Sequence, residues 1–200
     1  YLKPDYRDLE ETDGFGSAVS FNDDGLILAV GAYLEDSISA EINMGEDDNE
    51  ANGSGAAYIF TRSGDTTWHQ DAYIKAPNRN NAQAFGNTIS ISGDGQKLAV
   101  GTVRDFNSIG GIQSDFTRYY SSEHDIGSAY VFENTGSEWV YRSYIRSPVI
   151  NVSDTNKRVR ISRDGKTVGI SSSFESSDAR GVNGDMTNTD APNSGAVFLY

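Results

Sequence analysis

Three long loops carry the residues best suited to chemistry. Residues 34–54 hold Glu35, Asp36, Glu41, Glu46, Asp47, Asp48 and Glu50 and no lysine or arginine. Like charges at this density repel unless water or a cation intervenes. Residues 174–194 match them at a constant spacing, Glu35 with Glu175, Asn43 with Asn183, Asp48 with Asn188 and Glu50 with Asp190. Oxygen donors that recur in loops too long for simple turns suit Ca2+. The expected ligands are Glu35, Asp36, Asn43, Asp48 and Glu50 in the first loop and Glu175, Asn183, Asp185, Asn188 and Asp190 in the third. The alternative is a solvated acidic loop shaped by Asx turns and bonds to backbone.

The loop between them, Arg104–Asp125, is of another kind. It carries Arg104, Phe106, Phe116, Arg118, Tyr119 and Tyr120, and aromatics beside arginine are enriched at recognition hot spots. These six are the expected ligand-contacting residues; the alternative is that the rings fold back onto their own sheet. No catalytic residue is expected. His69 and His124, the two histidines, fall in no recurring metal-ligand or Ser/His/Asp spacing. Carboxylates are plentiful enough that a glycosidase-type pair stays open as an alternative.

The elements that must position these loops follow from a repeat. Phe15–Ala32 (FGSAVSFNDDGLILAVGA) returns as Phe85–Thr102 (FGNTISISGDGQKLAVGT) and, degraded, as Thr155–Ser172. Asp24-Gly25, Asp94-Gly95 and Asp164-Gly165 lie seventy residues apart, flanked by alternating apolar positions. Each copy reads as two strands around a tight turn in which Asp-Gly supplies the positive φ of a primed hairpin. Val19, Ile89 and Val159, and likewise Val30, Val100 and Ile170, are expected at equivalent buried positions. Further strands are expected at 55–62, 127–133 and 195–200, and at 67–76 and 138–147 around Trp68 and Trp139, whose matching places mark them as packing residues. Four strands make a blade, and a repeat of this length points to a β-propeller-type array.

Phe15-Gly16 with Gly31-Ala32, and Phe85-Gly86 with Gly101-Thr102, resemble the FG-GAP repeats of integrin-α-type β-propellers, of the bacterial secreted kind. The later segments SGAAYIF (54–60), GSAYVF (127–132), SGAVFLY (194–200), AYIKAP (72–77) and SYIRSP (143–148) extend the resemblance over nearly the whole chain, although the third repeat lacks both the FG and the GA. The resemblance implies an extracellular or cell-surface setting and a role in binding or adhesion. Blades of this family often carry a DxDxDG calcium loop; the Asp-Gly turns here are too short and too poor in carboxylates for one.

The expected fold is thus all-β, one array of three roughly 70-residue four-stranded antiparallel blades at about 5–77, 78–148 and 149–200, with 1–4 finishing a preceding or closing blade. The third blade is incomplete, lacking the equivalent of 61–72. Its open edge is expected to pair Tyr1–Lys3 with Gly195–Tyr200 of a neighbouring copy, unless the rest of a longer propeller covers it. A net charge of −13 argues against nucleic acid and favours cations or basic surfaces. Absence of cysteine excludes disulfides, and no apolar run is long enough for a membrane span. The expected function is non-catalytic binding of a protein or carbohydrate, supported by Ca2+; a self-assembling structural subunit and a carbohydrate-active enzyme are the alternatives.

Overall fold

A computed structural model describes residues 1–6, 12–64, 66–78, 80–105, 111–114, 126–148 and 158–200. Among these residues all regular structure is β. The first blade comprises β1 (Phe15–Phe21), β2 (Ile27–Ala32), β3 (Ala56–Ser63) and β4 (Thr67–Ile74), paired in that order. The second comprises β5 (Thr88–Ile91), β6 (Lys97–Gly101), β7 (Gly111–Gln113), β8 (Ala129–Asn134) and β9 (Trp139–Arg146), in the order β5-β6-β8-β9-β7. The third comprises β10 (Val159–Ile161), β11 (Val168–Ser172) and β12 (Ala196–Leu199). The strand pairings within the blades are antiparallel, and Val19 faces Val30, Ile89 faces Val100 and Val159 faces Ile170 across the first hairpins. The fifth strand of blade two, β7, comes from the aromatic loop and covers the edge of β9; nothing in its sequence alternates to announce it.

The Asp-Gly turns correct one expectation. Only the glycine has positive φ (Gly25 +69°, Gly95 +72°, Gly165 +68°), and Gly25 N–H bonds Asn22 O at 3.2 Å, a type I turn inside a four-residue loop. The aspartate is there for its side chain. Asp24, Asp94 and Asp164 Oδ1 accept the N–H of Leu26, Gln96 and Lys166 at 2.8, 3.0 and 3.2 Å, and that bond needs no left-handed aspartate.

Blades stack face against face, and the residues of the FG and GA motifs make the tightest contact. The aromatic of each FG rests on its own sheet: Phe15 meets Tyr58 and Phe60 at ring distances of 5.4 and 6.0 Å, and Phe85 meets Tyr130 and Phe132 at 5.6 and 6.1 Å. The following glycine crosses the preceding blade. A Cβ on Gly31 would lie 2.0 Å from Gly86 O, and one on Gly86 would lie 2.2 Å from Ala56 O. Only glycine permits backbones this close. Around the crossing, Ala29, Ala57, Ile59 and Ile74 of blade one pack on Ile89, Val100, Tyr130 and Tyr144 of blade two. Ala99, Ala129, Val131 and Ile145 then pack on Val159, Ile161, Val168 and Ile170 of blade three. Backbone bonds also join the turns, Asp23 N–H to Gly93 O at 3.0 Å and Gly93 N–H to Arg163 O at 2.8 Å.

Position in the stack overrides residue type at one predicted core site. Val30, Val100, Ile170, Ile89 and Val159 are buried, but Val19 is 61% exposed. It lies on the outward face of blade one, where Leu2, Phe15 and Trp68 cover only the neighbouring Val30, Tyr58 and Phe60. Trp68 is half-buried there, against Phe21, whereas Trp139 is buried between blades.

Gly31→Ala should cost about 3 kcal/mol, the upper end of what overpacking does, because the added carbon meets backbone and not a movable side chain. Gly16→Ala, at φ +90° with open space around it, should cost about 1 kcal/mol. Urea unfolding midpoints of the two variants check the difference; equal losses would remove the crossing from its place in the packing.

Candidate functional site

The long loops leave the second strand of each blade and return at the third, at the end of the stack opposite the Asp-Gly turns. In the first, Glu35 is buried and ties the loop to β4. Its Oε1 accepts from Ser37 N–H at 3.1 Å and from Tyr73 Oη at 2.6 Å, and its Oε2 accepts from Lys75 Nζ. Lys75 Nζ also donates to Ser54 Oγ at 2.6 Å. Desolvation pulls the Lys75 ammonium below its ordinary pKa against the pull of Glu35. Burial and the same carboxylate push the Tyr73 hydroxyl well up. A second knot sits at Asp48, whose Oδ1 accepts from Ile38 N–H at 2.8 Å and Glu50 N–H at 3.2 Å. Burial works against the Asp48 anion, but those two N–H groups with Ser37 Oγ hold its pKa below the ordinary value. Asp36 accepts from Gly53 N–H, and Asn43 Oδ1 from Tyr73 N–H at 2.7 Å.

Loop three repeats the part of this frame that lies within the loop. Glu175 is buried and accepts from Ser177 N–H at 2.9 Å; Asn188 Oδ1 accepts from Asp178 N–H at 3.0 Å and Asp190 N–H at 3.2 Å. Ser54 and Ser194 reach equivalent carbonyls, Ser37 O and Ser177 O, each at 3.0 Å. Asn43 and Asn183 both adopt positive φ, +63° and +57°. Blade two departs from the pattern. Asp105, one methylene shorter than Glu35, is turned to Ser128 Oγ at 2.7 Å and to Tyr130 Oη, with Gln83 and Asn78 beside it. Arg146, in the place of Lys75, is fully buried, and its guanidinium makes no hydrogen bond among the described residues.

The expected calcium ligands are therefore placed as follows. Glu35, Asp36 and Asp48 in loop one, and Glu175 and Asn188 in loop three, spend oxygens on N–H groups of their own loop, and Asn43 spends its oxygen on Tyr73 N–H of β4. Asp185 accepts from Thr187 N–H at 2.9 Å, while Glu50 and Asp190 are exposed. Among the described residues no group of three or more His, Asp or Glu side chains converges on a point that could hold a metal ion. Of the aromatic-loop residues, Arg104 is described; Phe106, Phe116, Arg118, Tyr119 and Tyr120 lie outside the described residues, as does His124. His69 is exposed and its Nε2 lies 3.0 Å from Ser63 Oγ, with no third group among the described residues to make a triad.

Sequence reasoning passed over two features. The Glu35–Lys75 pair was signalled by an acid at 35, 105 and 175 recurring with a cation at 75 and 146. Glu46 has no counterpart, its matching positions being Phe116 and Met186. It is half-buried over the outward face of blade one, where it accepts from Gln70 Nε2 at 3.1 Å, and burial raises its pKa above the ordinary value, helped by Asp5 and Glu35.

Asp48 offers a titration with an internal control. Its folded pKa lies below the ordinary 3.8, so its contribution is complete above that value and is lost as pH falls through the folded pKa. Amide exchange at Ile38 and Glu50 should speed up over that fall, while exchange at Asp178 and Asp190, held by the neutral Asn188, should keep its protection. Parallel loss in both loops would mean that the carboxylate does not set the frame.

No curated protein matches the chain. Residues 7–60, which hold Phe15-Gly16 and Gly31-Ala32, match the family model of the FG-GAP repeat.

Proposed function

We propose that the chain is an extracellular, non-catalytic binding or adhesion module that engages a protein or carbohydrate through its long loops. The observation that carries this reading is a constant frame with changing decoration. Loops one and three share the bonds that lie within the loop, yet exposed side chains differ, Glu41 and Asp47 on one standing where the other has Gly181 and Thr187. Rigid scaffolds that hold variable loops are a general way to build recognition surfaces. FG-GAP repeats typically occur in extracellular proteins, and no helix among the described residues is long and apolar enough to cross a membrane. The acidic balance supports a ligand with basic groups. The contacting set this reading expects is Arg104, Phe106, Phe116, Arg118, Tyr119 and Tyr120 of the aromatic loop.

Screening against a glycan array and a panel of matrix proteins, followed by the triple variant Phe116→Ala, Tyr119→Ala, Tyr120→Ala, tests this. Loss of the captured ligand with an unchanged thermal midpoint is expected; full retention would move the site elsewhere. For calcium, the self-satisfied loop bonds predict that millimolar Ca2+ leaves the thermal midpoint of a chelated sample unchanged. A rise of several degrees would assign a supporting ion to the two acidic loops.

A carbohydrate-active enzyme is favoured by one observation, the raised pKa of Glu46 near Glu35. Against it, Glu35 is committed to Lys75, Tyr73 and Ser37. A carboxyl with a raised folded pKa favours the fold below its ordinary 4.5, and that advantage is lost as pH rises through the folded value. Glu46→Gln should therefore raise the thermal midpoint at neutral pH and leave it unchanged well below 4.5. Turnover of chromogenic glycosides abolished by this variant would install the enzyme reading.

A further inference from the structure

The first strands of the three blades meet in a cavity whose charge runs against that of the chain. Ser17 of β1, Asn87 and Thr88 at the start of β5, and Arg158 and Arg160 around β10 line a space of about 580 Å³. The chain carries a net charge of −13, yet among the described residues no carboxylate lines this cavity and two arginines do. Exposed charges are screened over about 8 Å at physiological salt, so these two cations govern the local potential more than distant acids do.

Arginine at these places breaks the pattern of the preceding blades. First strands are joined side by side through hydroxyls: Ser20 and Ser90 Oγ accept the N–H of Ile91 and Ile161 at 3.2 and 3.1 Å, and Thr88 Oγ1 accepts that of Val159 at 3.0 Å. Arg160 follows Ser20 and Ser90 in the repeat, and Arg158 follows Thr88. A guanidinium only donates, so neither arginine can serve as such an acceptor.

Their bonds leave donors to spare. Arg158 is fixed through its backbone, its N–H donating to Ser171 Oγ at 3.1 Å and its carbonyl accepting Ser171 N–H at 2.9 Å. Arg160 Nη1 donates to Val159 O at 3.0 Å and to Ile89 O of blade two at 3.4 Å, which holds its guanidinium back against the neighbouring blade. Among the described residues neither guanidinium has a carboxylate partner, the cations that do being Lys75, Arg142 and Arg163. Thr88 Oγ1 accepts from Val159 and keeps its own proton to give, and the half-buried Asn87 adds an amide.

We propose that Arg158 and Arg160, with the Asn87 amide and the Thr88 hydroxyl, form a binding site for a phosphate or sulfate group. Two guanidinium forks and two neutral donors suit the oxygens of a tetrahedral oxyanion, which arginine matches bidentately. The cavity has the size of small-molecule pockets and leaves room for a polar molecule that carries the group. It lies on the inner strands, apart from the long loops, and does not depend on the ligand proposed for them.

Isothermal titration calorimetry of the whole chain at low salt tests this, with inorganic phosphate, inorganic sulfate and the phosphate and sulfate esters of glucose as probes and glucose as the control. At least one anion should bind, and glucose should not. An ester that binds more tightly than its free ion places the group on a larger molecule; equal affinity makes the ligand the ion itself. Arg158→Gln and Arg160→Gln should each weaken binding about tenfold, and both together should abolish it, with the thermal midpoint unchanged because both side chains are exposed. Arg180→Gln, the same charge change at an exposed position outside the cavity, should leave the affinity as it was. No heat with any of the four anions at millimolar concentration, a double variant that binds as the unaltered chain does, or an equal loss in Arg180→Gln overturns the proposal.

Discussion

The approach of two backbones at Gly31 and Gly86 is the constraint on which the structure depends. No side chain fits between these chains, so one blade sits against the next at backbone contact, and the register of the crossing decides which side chains meet around it. From that registration follow the interleaving of Ile89 and Val100 with Ala29 and Ile59, the backbone bonds between successive turns, and the common level at which the loops emerge. The FG and GA motifs therefore have a division of labour. Phe85 is seated on Tyr130 and Phe132 of its own sheet, which holds Gly86 rigidly enough to be crossed.

On this platform the loops are held by carboxylate and amide oxygens turned inward. A buried glutamate that joins the loop to Tyr73 of β4 and to Lys75 just past its end is a poor source of net stability, since desolvation opposes most of the Coulombic gain. Its value is geometric: one carboxylate fixes the loop base against two residues up to forty positions away. Asp48 and Asn188 do the same work with different charge, which shows that the frame needs an oxygen at that point and not an anion. Charge left over after the frame is satisfied lies on Glu41, Asp47, Glu50, Asp185 and Asp190, all exposed.

Most of the fold was legible because the repeat is long, its spacing constant and its strands alternate with period two. Val19 opposite Val30 and Ile89 opposite Val100 could be paired from the sequence alone. Three things could not. The exposure of Val19 depends on its blade's place in the stack, which no local pattern encodes. The strand β7 has three residues and is recruited by the edge of β9, a tertiary cause without a sequence signature. The Asp-Gly turns were read for backbone permissiveness, whereas the aspartate serves as an acceptor for an N–H two residues on. At the candidate site, the matching of loops one and three was legible, but the direction of the oxygens was not, because the spacing that would converge on a cation also serves to tie a loop to itself.

Native-state hydrogen exchange at the amides that join blades tests the central claim most directly. If the glycine crossing registers the stack, Ala84, Phe85, Asp23 and Gly93 should exchange only with global unfolding, as slowly as Val30 and Val100 in the core strands. Exchange of those four amides at loop-like rates, while the core strands stay protected, would show blades that fold separately and hinge against one another, and would contradict the account.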